Sequence, residues 1–150
     1  MADRTIFDEI VDGKIPCWKV WEDSQYLAFL TPFPNTPGFT VVIPKENPGD
    51  NYLTVTDDAF TGLLVAAKKV AALLQKAFSV TRVGLVIEGE GVPHLHIKLI
   101  PMHGDASIME GMPKHQEFYS LYPGWLSTVE GPRMSDEQLN EIQKKIQEAA

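Results

Sequence analysis

The sequence predicts a single compact domain in which a sheet of short strands packs on one long amphipathic helix. Phe60, Leu63, Leu64, Ala67, Val70, Ala71, Leu74 and Phe78 fall on one stripe while Lys68, Lys69 and Lys76 lie off it, the 3.6-residue period of a helix with one buried face. On both sides of that helix stand short runs rich in β-branched and aromatic residues, bounded by turn formers, which is how strands read. At 150 residues, 44% hydrophobic and 22% charged, the chain can bury roughly 70% of its unfolded surface in one core.

Taken in order, Thr5 to Asp12 carries Ile6, Phe7, Ile10 and Val11 at the spacing of a short helix, with Gly13 suited to its C-terminal cap. Trp18, Val20 and then Tyr26 to Leu30 predict a hairpin across the Glu22-Asp23-Ser24 turn. Pro32, Pro34 and Pro37 restrict the following stretch to a rigid extended loop, because proline sets the backbone angle and removes a donor. Phe39 to Ile43 reads as a further strand, and Asn47-Pro48-Gly49-Asp50 as a turn. Thr56 suits the N-cap of the main helix, with Asp57 and Asp58 against the positive end of its dipole. Val83 to Ile87 and His94 to Ile100 are predicted strands, joined through Glu88-Gly89-Glu90-Gly91-Val92-Pro93. Beyond Pro101, Gly104, Gly111, Pro113, Pro123 and Gly124 break any long element and predict a packed irregular tail. Ser135-Asp136-Glu137-Gln138 is a capping-box signature ahead of a last helix with Leu139, Ile142 and Ile146 on one side.

Composition excludes several classes of function. A net charge of −7 argues against broad nucleic-acid binding, which draws its affinity from neutralising phosphates with Lys and Arg; a phosphate site must be local. No apolar run approaches the ~20 residues that cross a bilayer, so no membrane partner is expected. Met1 to Thr5 shows no basic region followed by an apolar stretch, and the expected compartment is the cytoplasm. The lone Cys17 has no partner for an internal disulfide, excludes a cysteine-based zinc ribbon, and reads as a half-buried strand residue.

The chemistry concentrates in His94-Leu95-His96-Ile97-Lys98-Leu99-Ile100. Strand alternation would send His94, His96 and Lys98 to a polar face and Leu95, Ile97 and Leu99 to the core. Three adjacent nitrogen-bearing side chains are costly to gather unless something anionic or metallic sits above them, although two histidines between aliphatics also occur as structural residues. His103 and His115 lie outside this run and read as loop or surface residues.

Around it, Ile6-Phe7, Ile15-Pro16, Val20-Trp21-Glu22-Asp23, Ala28-Phe29-Leu30, Pro37-Gly38, Val42-Ile43-Pro44-Lys45 and Leu99-Ile100-Pro101 follow in order. This succession resembles the histidine-triad nucleotide-hydrolase and transferase superfamily across about residues 5 to 103. With the helices read above, the expected architecture is an antiparallel sheet with one main helix, a short N-terminal helix and a C-terminal extension ending in a helix: a domain at 1–103, with 104–150, outside the resemblance, as an extension packed on it. The resemblance itself implies the α+β fold, the antiparallel sheet and a homodimer. It makes His96 the nucleophile toward phosphorus, His94 the residue that holds local geometry, and Lys98 the occupant of the third triad place, where the family has histidine. A lysine there can still draw on a phosphoryl oxygen, but with an ordinary pKa of about 10.4 it does not readily cycle a proton near neutrality.

The same resemblance assigns Ile6, Phe7, Ile10, Ile15 and Phe29 to a purine pocket, although all five also suit plain core. Gly89 and Gly91 match the glycine-bearing approach whose N–H groups can face phosphate. Thr31 stands where the family commonly has an acidic residue for the ribose, Phe39 and Asn47 where it often has histidine, and Ile87 in place of an asparagine near the phosphate. Two functions follow: a hydrolase or nucleotidyl transferase acting on nucleotide phosphoramidates or dinucleotides, or a non-catalytic protein of the same fold binding nucleotide or another small phosphate ligand. A metal-binding protein is the weakest alternative, since a structural zinc needs four ligands and only His103, His115 and Cys17 could join His94 and His96. No cofactor and no resident metal are expected.

Overall fold

A computed structural model describes residues 4–104 and 132–150. Helix α1 (Ile6–Val11) is followed by β1 (Trp18–Glu22), β2 (Tyr26–Leu30) and β3 (Thr40–Pro44), then the long helix α2 (Asp57–Phe78), β4 (Val83–Val86), β5 (Ile97–Pro101) and α3 (Asp136–Glu148). The five strands form one sheet in the order β1-β2-β3-β5-β4, every neighbouring pair antiparallel. The α+β expectation therefore holds.

The sheet is buried on both faces over β2 and β3, which is why those strands read as continuous apolar runs rather than alternating ones. On one face Ala28, Leu30, Val42, Leu95, Ile97 and Leu99 pack with Leu63, Ala67, Val70 and Leu74 of α2. On the other, Leu27, Phe29, Val41 and Ile43 pack with Phe7 of α1. Both predicted caps form: Thr56 accepts from Ala59 N at the start of α2, and Ser135 and Gln138 make the capping box of α3. α3 lies beside β1, with Gln143 and Gln147 both donating to Lys19 O at 2.8 and 3.0 Å and Asn140 accepting from the Trp18 indole. The irregular tail predicted beyond Pro101 falls mostly on residues 105–131, outside the described residues, as does His115.

Several strand boundaries differ from expectation: β3 runs one residue later than the predicted Phe39 to Ile43, and Cys17, half-buried as expected, precedes β1 rather than lying in a strand. The strand predicted over 94–100 begins only at Ile97 and runs to Pro101, so His94 and His96 lie on the extended approach to β5 rather than within it. The cause is the partner strand. Extending the β3–β5 register, in which Thr40 faces Leu99 and Val42 faces Ile97, would set Leu95 against Pro44, which has no N–H to give the ladder. Leu95 N instead donates to Gly49 O at 2.7 Å, and Pro44 O receives the His94 ring. Likewise β4 stops at Val86, leaving Ile87 outside the strand.

Candidate active site

Alternation survives the loss of regular strand: Leu95 and Ile97 point into the core under α2, and His94 and His96 turn to the side of α1. That side is not an open polar face, however. His94 is 0% and His96 4% exposed, because Phe7 of α1 lays its ring edge against both imidazoles, at centroid distances of 5.7 and 5.5 Å. The six-residue α1 is thus the roof over the histidine pair.

The hydrogen bonds assign the tautomers. His94 Nε2 lies 2.7 Å from Pro44 O, and a carbonyl only accepts, so Nε2 carries the proton. Nδ1 then holds the lone pair and lies 3.3 Å from the Thr5 hydroxyl and 3.6 Å from Asp8 Oδ1. Thr5 is the N-cap of α1, and its hydroxyl also lies 2.8 Å from Asp8 Oδ2, which accepts Thr5 N–H as well. The roof is therefore tied to the first histidine through its own cap. Burial pushes the His94 imidazole below its ordinary range, against the opposing pull of Pro44 O and the Asp8 charge. Burial also pushes the Asp8 carboxyl up, but the Thr5 hydrogen bonds together with the His94 and Arg4 charges outweigh it and hold Asp8 below its usual value. For His96, Nδ1 donates to His94 O at 2.8 Å, which places its lone pair on Nε2.

His96 and Lys98 line a pocket of about 460 Å³ whose walls are largely apolar. Of the predicted binding residues, Ile6, Phe7, Ile10, Ile15, Phe29, Thr31 and Gly91 line it with them. His94 does not; it stands behind His96, fully buried. Gly89 is not a lining residue either. Its φ of +72° and the 3.0 Å that would separate an added Cβ from Asp50 O show a glycine demanded by loop packing. Phe39 lines the pocket and Asn47 lies apart from it, donating to Pro93 O.

Lys98 is not a solvated strand residue. Its ammonium is ion-paired with Glu88, the two side chains only 15% and 13% exposed. Sequence reasoning missed Glu88, although register could have found it: Val86 faces Lys98 across the β4–β5 pair, so the next residue on the same side, Glu88, falls opposite His96 and diagonal to Lys98. Glu90 joins it in the lining. Thr5 and Asp8 were missed as well, their cap signature giving no hint of a partner 89 residues away. Among the described residues no group of three His, Cys, Asp or Glu side chains could hold a metal ion; His103 Nε2 donates to Pro37 O at 2.8 Å.

An α1-roofed apolar pocket ending on a buried histidine pair, set on a five-stranded antiparallel sheet, defines the class. The HIT domain family model matches residues 12–105, and the chain belongs to the HIT family. Among curated relatives, the adenosine 5′-monophosphoramidase of Schizosaccharomyces pombe is 32% identical over 142 residues, covering 94% of this chain and 97% of that protein. A HIT-like protein from Bartonella henselae, described as involved in cell-cycle regulation, has the same fold with a TM-score of 0.70 at 28% identity, covering 98% of this chain and 97% of that one. A hypothetical histidine triad nucleotide-binding protein from Sulfolobus tokodaii gives 0.73 at 26%, covering 95% and 89%. Similarity thus extends beyond residue 103, where the resemblance read from the sequence stopped.

Proposed function

We propose that this chain is a histidine-triad-type hydrolase or nucleotidyl transferase that cleaves a phosphorus–nitrogen or phosphoanhydride bond of a nucleotide, with His96 as nucleophile. The observation that carries this reading is the His96 Nδ1–H···O=C bond to His94 at 2.8 Å: it sets the lone pair on Nε2 in a ring that lines a pocket large enough for a nucleoside. The phosphoramidase named among the relatives supports it. In this reading Nε2 attacks phosphorus, the P–N bond breaks, and the leaving nitrogen takes a proton from the Lys98 ammonium. Water then attacks the phosphoimidazole, gives its proton to the Lys98 amine, and releases His96. Ile6, Phe7, Ile10, Ile15 and Phe29 enclose the base. The Thr31 hydroxyl, which accepts Phe33 N–H at 3.2 Å, keeps its own proton for a sugar oxygen.

One observation favours the non-catalytic reading: the Glu88 carboxylate stabilises Lys98 as an ammonium, which works against giving up a proton near neutrality. Hydrolysis of adenosine 5′-phosphoramidate by the parent and by His96→Ala separates the two. The catalytic reading expects turnover in the parent, a loss of at least ~10²-fold in His96→Ala, and monophosphate binding retained in both. A mutant as active as the parent overturns the nucleophile assignment; a parent that binds adenosine monophosphate without turnover moves the protein to the binding class.

The same reading includes a homodimer working in the cytoplasm. β4 is an edge of the sheet with Leu85 exposed, and Val65 of α2 is exposed as well, so apolar surface and unpaired backbone are on offer to a second copy. Sedimentation at micromolar concentration is expected to give a dimer; a monomer refutes it. No helix among the described residues is long and apolar enough to cross a membrane.

A further inference from the structure

The phosphate end of the pocket is an unexpected place for acid. Among its described lining residues the side chains that carry a full charge at neutral pH are Glu88, Glu90 and Lys98, two carboxylates against one ammonium. The ammonium is already engaged by Glu88, inside the fold rather than at its surface. Glu88 is also held in place. It lies two residues beyond the end of β4, and the next residue, Gly89, turns with φ +72° against the Asp50 backbone, where an added Cβ would stand only 3.0 Å from Asp50 O. The carboxylate therefore stands beside Lys98 whether or not a ligand is present.

From this placement we infer that Glu88 is a specificity-determining residue that selects a singly charged phosphorus centre over a doubly charged one. The inference rests on the proposed phosphate-handling role of the pocket and goes beyond it. A nucleoside phosphoramidate or phosphodiester carries one negative charge at phosphorus. A nucleoside monophosphate carries nearly two above its second pKa of about 6. With Lys98 neutralised by Glu88 and with the exposed Glu90 also in the lining, the second charge meets repulsion that no described cation offsets, and beside a largely buried ion pair between apolar walls such repulsion is less screened than in bulk water. Cleavage of a phosphoramidate by water converts the first kind of ligand into the second, so the same carboxylate drives the product out. Lys98 alone, without Glu88, would favour the opposite order and hold the product.

The test compares two probes that differ by one charge: adenosine 5′-monophosphate and its methyl ester, bound to the full-length protein at pH 8 and followed by calorimetry. The parent is expected to bind the methyl ester more tightly. Glu88→Gln is expected to shift the affinity ratio roughly tenfold toward the monophosphate, the effect of removing one like charge at close range. Glu90→Gln, an exposed position where folding is not at stake, is expected to shift it in the same direction by less. For the parent, lowering the pH to 5 protonates the monophosphate and should erase the discrimination. If Glu88→Gln weakens both probes equally, Glu88 serves only to position Lys98 and the inference falls. If the parent shows no preference at pH 8, or if Glu88→Gln fails to fold and Glu90→Gln leaves the ratio unchanged, it falls as well. If the parent binds neither probe, the phosphate-handling reading of the pocket fails first, which is a distinguishable result.

Discussion

Replacing Thr5 by valine tests the tie between the roof and the histidine pair with almost no change of shape. The Thr5 hydroxyl has two structural duties: it caps α1 by accepting Asp8 N–H, and it faces Nδ1 of His94 at 3.3 Å. Loss of a threonine N-cap costs about 1 kcal/mol. The second loss is separate. The single hydroxyl proton is shared between Asp8 Oδ2 at 2.8 Å and His94 Nδ1 at 3.3 Å; with His94 0% exposed water does not replace it, and leaving a buried acceptor unsatisfied costs about 1–3 kcal/mol. The expected total is roughly 2–4 kcal/mol, or roughly 4–16 °C in melting temperature for a chain of this size. Thr56→Val is the internal control. It removes the same kind of cap from α2 at an exposed position, where only the ~1 kcal/mol capping term applies. Urea denaturation of the parent and both variants at pH 7.5 reads the difference directly. Because α1 also seats Phe7 against both imidazoles, Thr5→Val is further expected to slow any phosphoramidate hydrolysis, whereas Thr56→Val is not. Equal destabilisation by the two substitutions would show that the His94 bond contributes nothing and would refute the reasoning.

Two further predictions follow from the same site. Lys98→His, which restores a group able to cycle a proton near neutrality, is expected to destabilise the protein because it leaves the Glu88 carboxylate at 13% exposure without its ammonium; turnover should rise only when Glu88→Gln accompanies it, and a stable, faster single variant would contradict this. The His94 ring, held below the ordinary imidazole range chiefly by burial, stays neutral in the fold while the unfolded chain takes up a proton near pH 6.5. The unfolded state then binds more protons, so the contribution of His94 to stability is complete above pH 6.5 and is lost as the pH falls below it, by at most ~1.4 kcal/mol per pH unit. Asp8, also depressed, adds a loss only at the lower pH where carboxylates protonate. An NMR titration of the His94 ring with a midpoint at or above 6.5 would overturn the first of these windows.

Much of the fold was legible before any coordinates. The stripe from Phe60 to Phe78 specified α2 because a 3.6-residue period can bury only one helical face. Thr56 and Ser135 announced their helices because capping is a local event, settled within four residues. Local chemistry likewise singled out His94, His96 and Lys98, and the apolar residues Ile6, Phe7, Ile10, Ile15 and Phe29 do converge on one pocket with His96.

What the sequence left open were relations between distant segments. Whether the two histidines would be exposed depended on α1 folding over them, and the start of β5 on Pro44 lying where Leu95 needed a donor. Neither is encoded within the histidine run itself. The charge state around Lys98 was the largest revision: read along the chain it is a cation ten residues from Glu88, but the β4–β5 register brings the two together and cancels the charge. Residue type and period determine which side chains can do chemistry, since those depend on the chain's own covalent order. Which charges are neutralised, which rings are buried and which proton each nitrogen carries are set by contacts across the sheet, and only the tertiary structure decides those.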